Sequence, residues 1–177
     1  YLGSERQKKI IFIGRLKEDS KINNLIDALK IIHDQYAMTD VSLDIIGDGP
    51  EKERIEEQIE KLNISSCINL HGALANEKNI SKIFNEAAIF ISADRVGLSI
   101  LHSLSYGVPV LVNNARDSQG PEVDVMLLSD VGEKHEGTSL SIAKKAAALL
   151  NNIELRDNYS SAALNIINSH HNTDIMY

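Results

Sequence analysis

The sequence predicts an α/β protein built on one doubly wound parallel sheet with helices on both faces. Two observations carry that prediction. Apolar runs alternate with helical patterns along the chain, and the connections between them are short. The first run, Ile10 to Ile13, is apolar without alternation, as expected of a central parallel strand covered on both sides. A chain of 177 residues is long enough to bury a substantial single core.

Residues 1–8 are polar and read as a linker or cut end, residues 9–168 as the folded domain, and residues 169–177 as a truncated C-terminal segment. The first strand is Lys9 to Ile13, followed by Gly14-Arg15-Leu16 and a polar loop that ends at Lys21. A helical pattern follows, with Leu25, Ile26, Leu29, Ile32 and His33 near one face. Val41 to Ile46 is the second strand. Gly47-Asp48-Gly49-Pro50 is a turn, with Pro50 placed to start a helix and Glu51 and Glu53 loading its first turn with acid. Cys67 to Leu70 is the third strand, ending at His71-Gly72, and Glu77 to Ala87 is the next helix. Ala88 to Ile91 is the fourth strand. After it, Gly97 is expected to open a helix whose Leu98, Leu101 and Leu104 face the sheet. Pro109 to Val112 is the fifth strand, residues 113–121 a polar loop, and Ser139 to Leu150 and Glu154 to Asn168 two further helices.

Composition narrows the function. The net charge of −7 argues against non-specific nucleic-acid binding. No apolar run approaches bilayer-spanning length, and no signal-peptide pattern opens the chain. Cys67 is the only cysteine, so an internal disulfide and a cysteine-based metal cluster are both excluded; in its apolar run it reads as a buried, inert thiol. A reducing cytoplasm fits this usage. The pair His170-His171 reads as a solvated helix end, and no metal site is expected.

Ligands of such sheets sit at the carboxyl ends of the strands. That rule gathers Gly14, Arg15, Lys21, Asp94, Ser99, His102 and Glu122 on one rim, together with the Gly47–Pro50 and Gly72–Leu74 turns. Two cations and a helix start opened by Gly97 suit a diphosphate. The bland alternative is an ordinary set of turns with solvated charges. Gly47-Asp48-Gly49 lacks the third glycine of a dinucleotide fingerprint, and there is no phosphate loop of the Gly-Lys-Ser/Thr type and no nucleophile elbow.

The segments IFIGRLKEDSK, LIDAL, LDIIGDGPEKERIEEQIEKL, INLHGAL, AAIFISADRVGLSILHSLSYGVPVLV and GPEV occur in that order over most of residues 9–125. As an ordered set they resemble the C-terminal, donor-binding domain of the retaining GT-B glycosyltransferases of the glycogen-synthase and mannosyltransferase-like group, the glycosyl transferases group 1. The resemblance implies a Rossmann-like domain, one half of a GT-B fold, that binds a UDP- or GDP-linked sugar without metal or cofactor. It implies Arg15 and Lys21 as the basic pair on the donor diphosphate, with Gly97, Leu98 and Ser99 meeting the phosphates. It implies Gly47, Gly49 and Pro50 near the nucleoside, and Gly72, Ala73 and Leu74 around the base. Most relatives carry two glutamates at the positions of Asp94 and His102; the first would face the transferred sugar as the catalytic carboxylate, the second the ribose. VGLSILHSLSYGVPV resembles a bacterial polysaccharide-type subgroup with His-Ser here, and Lys21-Ile22 replaces the usual Lys-Gly.

The resemblance also implies a hexosyl-transferring enzyme acting on a glycan or lipid-linked acceptor held by a separate N-terminal domain. Such an enzyme works in the cytoplasm, at most peripheral to the inner face of the membrane. A single domain is then expected to bind donor and to transfer little alone. Two rival readings are a nucleotide-sugar epimerase of similar fold and a non-catalytic nucleotide-binding module.

Overall fold

The computed structural model describes residues 7–115 and 120–173, the last four as backbone only. The predicted linker up to residue 6, part of the loop after the fifth strand, the side chains of His170 and His171, and residues 174–177 lie outside the described residues.

Six strands of the described residues form one sheet: β1 (Lys9–Ile13), β2 (Ser42–Ile46), β3 (Ile68–Leu70), β4 (Ile89–Ile91), β5 (Val110–Asn113) and β6 (Gly132–His135). All pair in parallel, in the order β3-β2-β1-β4-β5-β6. Among the described residues seven helices cover it: α1 (Ile22–Tyr36), α2 (Lys52–Lys61), α3 (Glu77–Glu86), α4 (Ser99–Ser105), α5 (Val125–Leu128), α6 (Ser139–Asn151) and α7 (Ile153–Thr173). The doubly wound fold expected from the alternation is present.

Strand side chains alternate between two cores, because successive residues point to opposite faces. Ile10, Phe12, Ile89, Ile91 and Leu111 join α1, α2 and α6 in one core. Ile11, Phe90, Val110 and Val112 join α3, α4 and α7 in the other. Burial on both faces explains the unbroken apolar runs. Asp44 sits inside β2 at 4% exposure and is satisfied by Asn69 and His71, whose side chains lie 3.0 and 2.7 Å from its Oδ1.

β6 is a strand that the apolar pattern does not predict. Its Gly-Glu-Lys-His run is polar because it closes one edge of the sheet and buries only His135 among its four residues. Leu98 is the second departure: it precedes α4 and is 71% exposed, while the helix buries Ile100, Ser103 and Leu104. The helix starts at Ser99, so the periodicity counted from Leu98 is shifted. Cys67 is half-buried at the margin of the first core, not fully enclosed.

Beyond the strands, backbone pairing continues through the loops. Gly14 N–H donates to Ile46 O at 3.0 Å, Leu16 N–H to Asp48 O at 3.0 Å, and Gly47 N–H to Gly72 O at 2.8 Å. The loops after β1 and β2 approach so closely that a Cβ on Gly47 would lie 1.8 Å from Gly14 O, and one on Gly49 would lie 2.2 Å from Leu16 O. This contact, and not chain reversal alone, demands glycine at both positions. Gly47→Ala should therefore destabilise the fold by about 3 kcal/mol or more, which urea denaturation can measure. An unaffected midpoint would contradict the packing argument.

His135 is 1% exposed. Its Nε2–H donates to Ser92 O at 2.8 Å, and its Nδ1 accepts from Gly137 N–H at 2.9 Å. Burial holds its pKa below the ordinary value, so the folded protein keeps the ring neutral where the unfolded chain takes up a proton. Between the lowered folded pKa and about 6.5 the unfolded state binds more protons, so stability falls as pH falls through this window, with a limiting slope of about 1.4 kcal/mol per pH unit. The pH slope of unfolding free energy below 6.5 should be shallower in His135→Gln than in the wild type; equal slopes would contradict the assignment.

Candidate functional site

The strand order reverses between β1 and β4, and above that seam lies a cleft of about 430 Å³. One wall is the loop after β1, with Gly14, Arg15, Lys17 and Ser20. The facing wall is the segment after β4, with Arg95, Val96, Gly97 and Ser99. Gly120, Pro121 and Glu122 complete the rim, and Phe12 and Ile13 floor it.

Packing of the neighbours decides where the charged side chains go. Leu16 is 2% exposed, and its N–H is tied to the β2 loop. Arg15, between Leu16 and the clasped Gly14, is left exposed on the cleft side. Across the cleft, Asp94 and Val96 are buried, and Arg95 between them is exposed. Bonds among the described residues hold this turn: Ser92 Oγ–H donates to Arg95 O at 3.2 Å, and Gly120 N–H donates to Val96 O at 3.1 Å. The second also holds the Gly120–Glu122 segment against the cleft. No side chain of the described residues caps the start of α4.

The charges facing the cleft are unequal. Lys17 is paired with Asp19 at 3.0 Å. Arg15 and Arg95 have no ion pair or hydrogen bond from their side chains to the described residues, and Glu122 is the remaining acid on the lining. A positive cleft on a chain of net charge −7 is a local feature of these loops, not of the composition.

The structure thus brings Gly14, Arg15, Gly97, Ser99 and Glu122 together on one cleft. Lys21 and Asp94 stand outside its lining and face each other: Lys21 Nζ lies 2.9 Å from Asp94 Oδ1. The Asp94 carboxylate is also reached by Asn113 Nδ2 at 3.3 Å. Lys21 has φ 47°, the left-handed conformation, between a short 3-10 turn and α1, so it fills the backbone role that a glycine takes easily. Gly47 and Gly49 belong to the loop clasp, with Pro50 following. Gly72, Ala73 and Leu74 leave β3 at the same edge of the sheet, Ala73 exposed and Leu74 half-buried.

His102 lies on α4 away from the cleft lining, its ring stacked on Phe84 with centroids 5.2 Å apart. Its Nε2 is 3.3 Å from Glu77 Oε1, and Tyr106 O–H donates to the same oxygen. Bonding from Tyr106 and then His102 holds the Glu77 carboxyl below its ordinary pKa, while burial and then Glu77 push the Tyr106 phenol up to about 12. This cluster ties the start of α3 to α4.

Arg95, Lys17 and the Glu77–Tyr106 contact escaped the sequence reading. Arg95 left a faint signal, a cation two positions before Gly97 inside the segment already singled out. The others depend on contacts between distant elements.

The chain matches the family "Glycosyl transferases group 1" over residues 2–165. A curated relative, 2-deoxystreptamine N-acetyl-D-glucosaminyltransferase of Niallia circulans, is 25% identical over 150 residues, covering 82% of this chain and 37% of that protein. Among solved structures, a variant of S. aureus TarM in complex with fondaparinux, alpha-GlcNAc-glycerol and UDP superposes with a TM-score of 0.78 at 22% identity, over 92% of this chain and 32% of TarM. The C-terminal domain of the group 1 family protein LpcC from Francisella tularensis superposes with a TM-score of 0.75 at 20% identity, over 94% of this chain and 87% of that domain. The chain therefore spans well under half the length of the whole relatives it matches. With a family match over nearly all its residues and a sheet that superposes on GT-B structures, the chain belongs to the group 1 glycosyl transferases and has the fold of their C-terminal domain.

Proposed function

We propose that this chain is the donor-binding half of an enzyme that moves a hexosyl group from a UDP- or GDP-linked sugar to a glycan or lipid-linked acceptor, with retention of configuration. The observation that carries the reading is the cleft at the β1/β4 seam, where Arg15 faces Gly97 and Ser99 without an acid partner among the described residues. Guanidinium groups suit phosphate oxygens because they donate two parallel bonds. In this reading the diphosphate lies between Arg15 and the main chain of residues 97–99. The nucleoside extends toward Gly72–Leu74 and His102, past the Gly47–Pro50 turn, and the sugar lies near Asp94 and Glu122.

The chemistry follows from charge. As the glycosidic bond to the donor breaks, negative charge collects on the departing diphosphate. Cations already fixed around it stabilise that charge without reorganising at the moment of reaction. No cofactor or metal enters this scheme. Asp94, held by Lys21 and Asn113, is the carboxylate that we place toward the transferred sugar. The acceptor belongs to the part of the enzyme outside this chain, and orienting two substrates is a large share of such a rate, so the chain alone should bind donor and transfer little. We place the whole enzyme in the cytoplasm, at most peripheral to the inner face of the membrane. No described helix is long and apolar enough to cross a membrane.

UDP or GDP should raise the melting temperature of the chain, because a ligand that binds only the folded state stabilises it by about 2.7 kcal/mol at a hundredfold excess over Kd. Arg15→Ala should weaken that binding by about tenfold or more, the cost of a charged phosphate contact. Calorimetric titration of both proteins measures the difference, and equal affinities would remove the role of Arg15. A wild-type protein unmoved by either nucleotide would contradict the nucleotide-sugar reading.

A further inference from the structure

The geometry points to Glu77 as the residue that accepts hydrogen bonds from the ribose hydroxyls of the nucleotide. The inference rests on the proposed function and goes one step beyond it. Its starting point is α4. Ser99 lines the cleft, and His102 follows three residues later, so the two share a side of the helix, about 4.5 Å apart along its axis. A nucleoside diphosphate with its phosphates at residues 97–99 that runs on along α4 brings its ribose to His102. A carboxylate stands there: His102 Nε2 lies 3.3 Å from Glu77 Oε1. The loop of residues 72–76, which leaves β3 on the nucleoside side, runs directly into Glu77 at the start of α3.

An acid in the first turn of a helix suits the helix dipole whatever else it does. That preference does not call for two donors from a second helix. Tyr106 O–H donates to Glu77 Oε1, and His102 Nε2 approaches the same oxygen. Both rings stack on the fully buried Phe84, with centroids 5.0 and 5.2 Å away, so they hold the carboxylate from fixed positions. The second oxygen, Oε2, receives nothing from the described residues, and the side chain is 67% exposed. An ionised carboxylate accepts only, so the group that Oε2 can still take is a donor. It would repel a phosphate, and it stands outside the lining of the cationic cleft. The hydroxyls of a ribose are neutral donors, and an acid in this role is a recurring arrangement in doubly wound sheets. Tyr106 is then a positioning residue, which fixes the carboxylate through its other oxygen.

The test titrates UDP, GDP and their 2′,3′-dideoxy forms into the wild type, Glu77→Gln and Tyr106→Phe, with melting curves to confirm that each variant is folded. The wild type should bind its preferred ribonucleotide about tenfold or more tighter than the dideoxy form, the worth of a hydrogen bond to a charged group. Glu77→Gln keeps the shape and an oxygen for Tyr106 but removes the charge. It should lose about tenfold on the ribonucleotide and stay within about twofold of the wild type on the dideoxy form, which has no hydroxyl to offer. Tyr106→Phe should lose about threefold, again on the ribonucleotide alone, because the carboxylate must then be ordered by the ligand. The proposal is overturned if the wild type binds both forms equally, or if Glu77→Gln weakens both to the same extent, as a merely structural role would. A wild type that binds neither UDP nor GDP sinks the nucleotide-sugar reading itself, whereas tight binding of both forms alike sinks only the role of Glu77.

Discussion

The pairing of β1 with β4 is the constraint on which the rest of this structure depends. Ile10 lies opposite Ile89 and Ile11 opposite Phe90, and at this seam the winding of the sheet reverses. After β1 the chain passes into α1 on one face, and after β4 it passes into α4 on the other. Two neighbouring strands whose continuations part to opposite faces leave a crevice above their carboxyl ends, which no helix fills. The cleft follows from topology before any polar residue is considered.

Burial then decides which side chains occupy it. Leu16 and Val96 are apolar anchors, one on each wall, and each exposes the arginine immediately before it on the cleft side. The backbone bonds among the loops after β1, β2 and β3 hold the first wall, and the bond from Gly120 to Val96 holds the second. A cationic site on an acidic protein is thus built by packing. The same packing that makes the core draws Asp94 inward and brings it to Lys21. Structure and chemistry are linked here through a few buried residues whose neighbours in sequence cannot also be buried.

Much of this was legible in the sequence. Unbroken apolar runs from Ile10 and from Ala88 announced strands covered on both faces, and the rule that loops gather at carboxyl ends placed Arg15, Gly97, Ser99 and Glu122 on a common rim. What was not legible has physical causes. β6 reads as polar because an edge strand needs few buried side chains. Periodicity alone puts Leu98 on the sheet side because a helix start cannot be fixed to one residue from sequence, and a shift of one position turns a residue to another face. The Lys21–Asp94 pair joins residues 73 positions apart, and the His102–Glu77 contact joins residues 25 apart. Local patterns carry no information on such distances. Arg95 carries no local signal because a charge in a polar turn reads as ordinary surface unless Asp94 and Val96 on either side are buried.

The central claim is that the β1/β4 crevice holds the diphosphate of a nucleotide sugar. A crystal structure of the chain soaked with UDP or GDP tests it most directly. Phosphate oxygens should then lie within hydrogen-bonding distance of the Arg15 side chain and of the main chain at residues 97–99. Nucleotide bound elsewhere, for example in the groove beside Asn23, Arg54 and Lys61 between α1 and α2, with the crevice left to solvent, would contradict it.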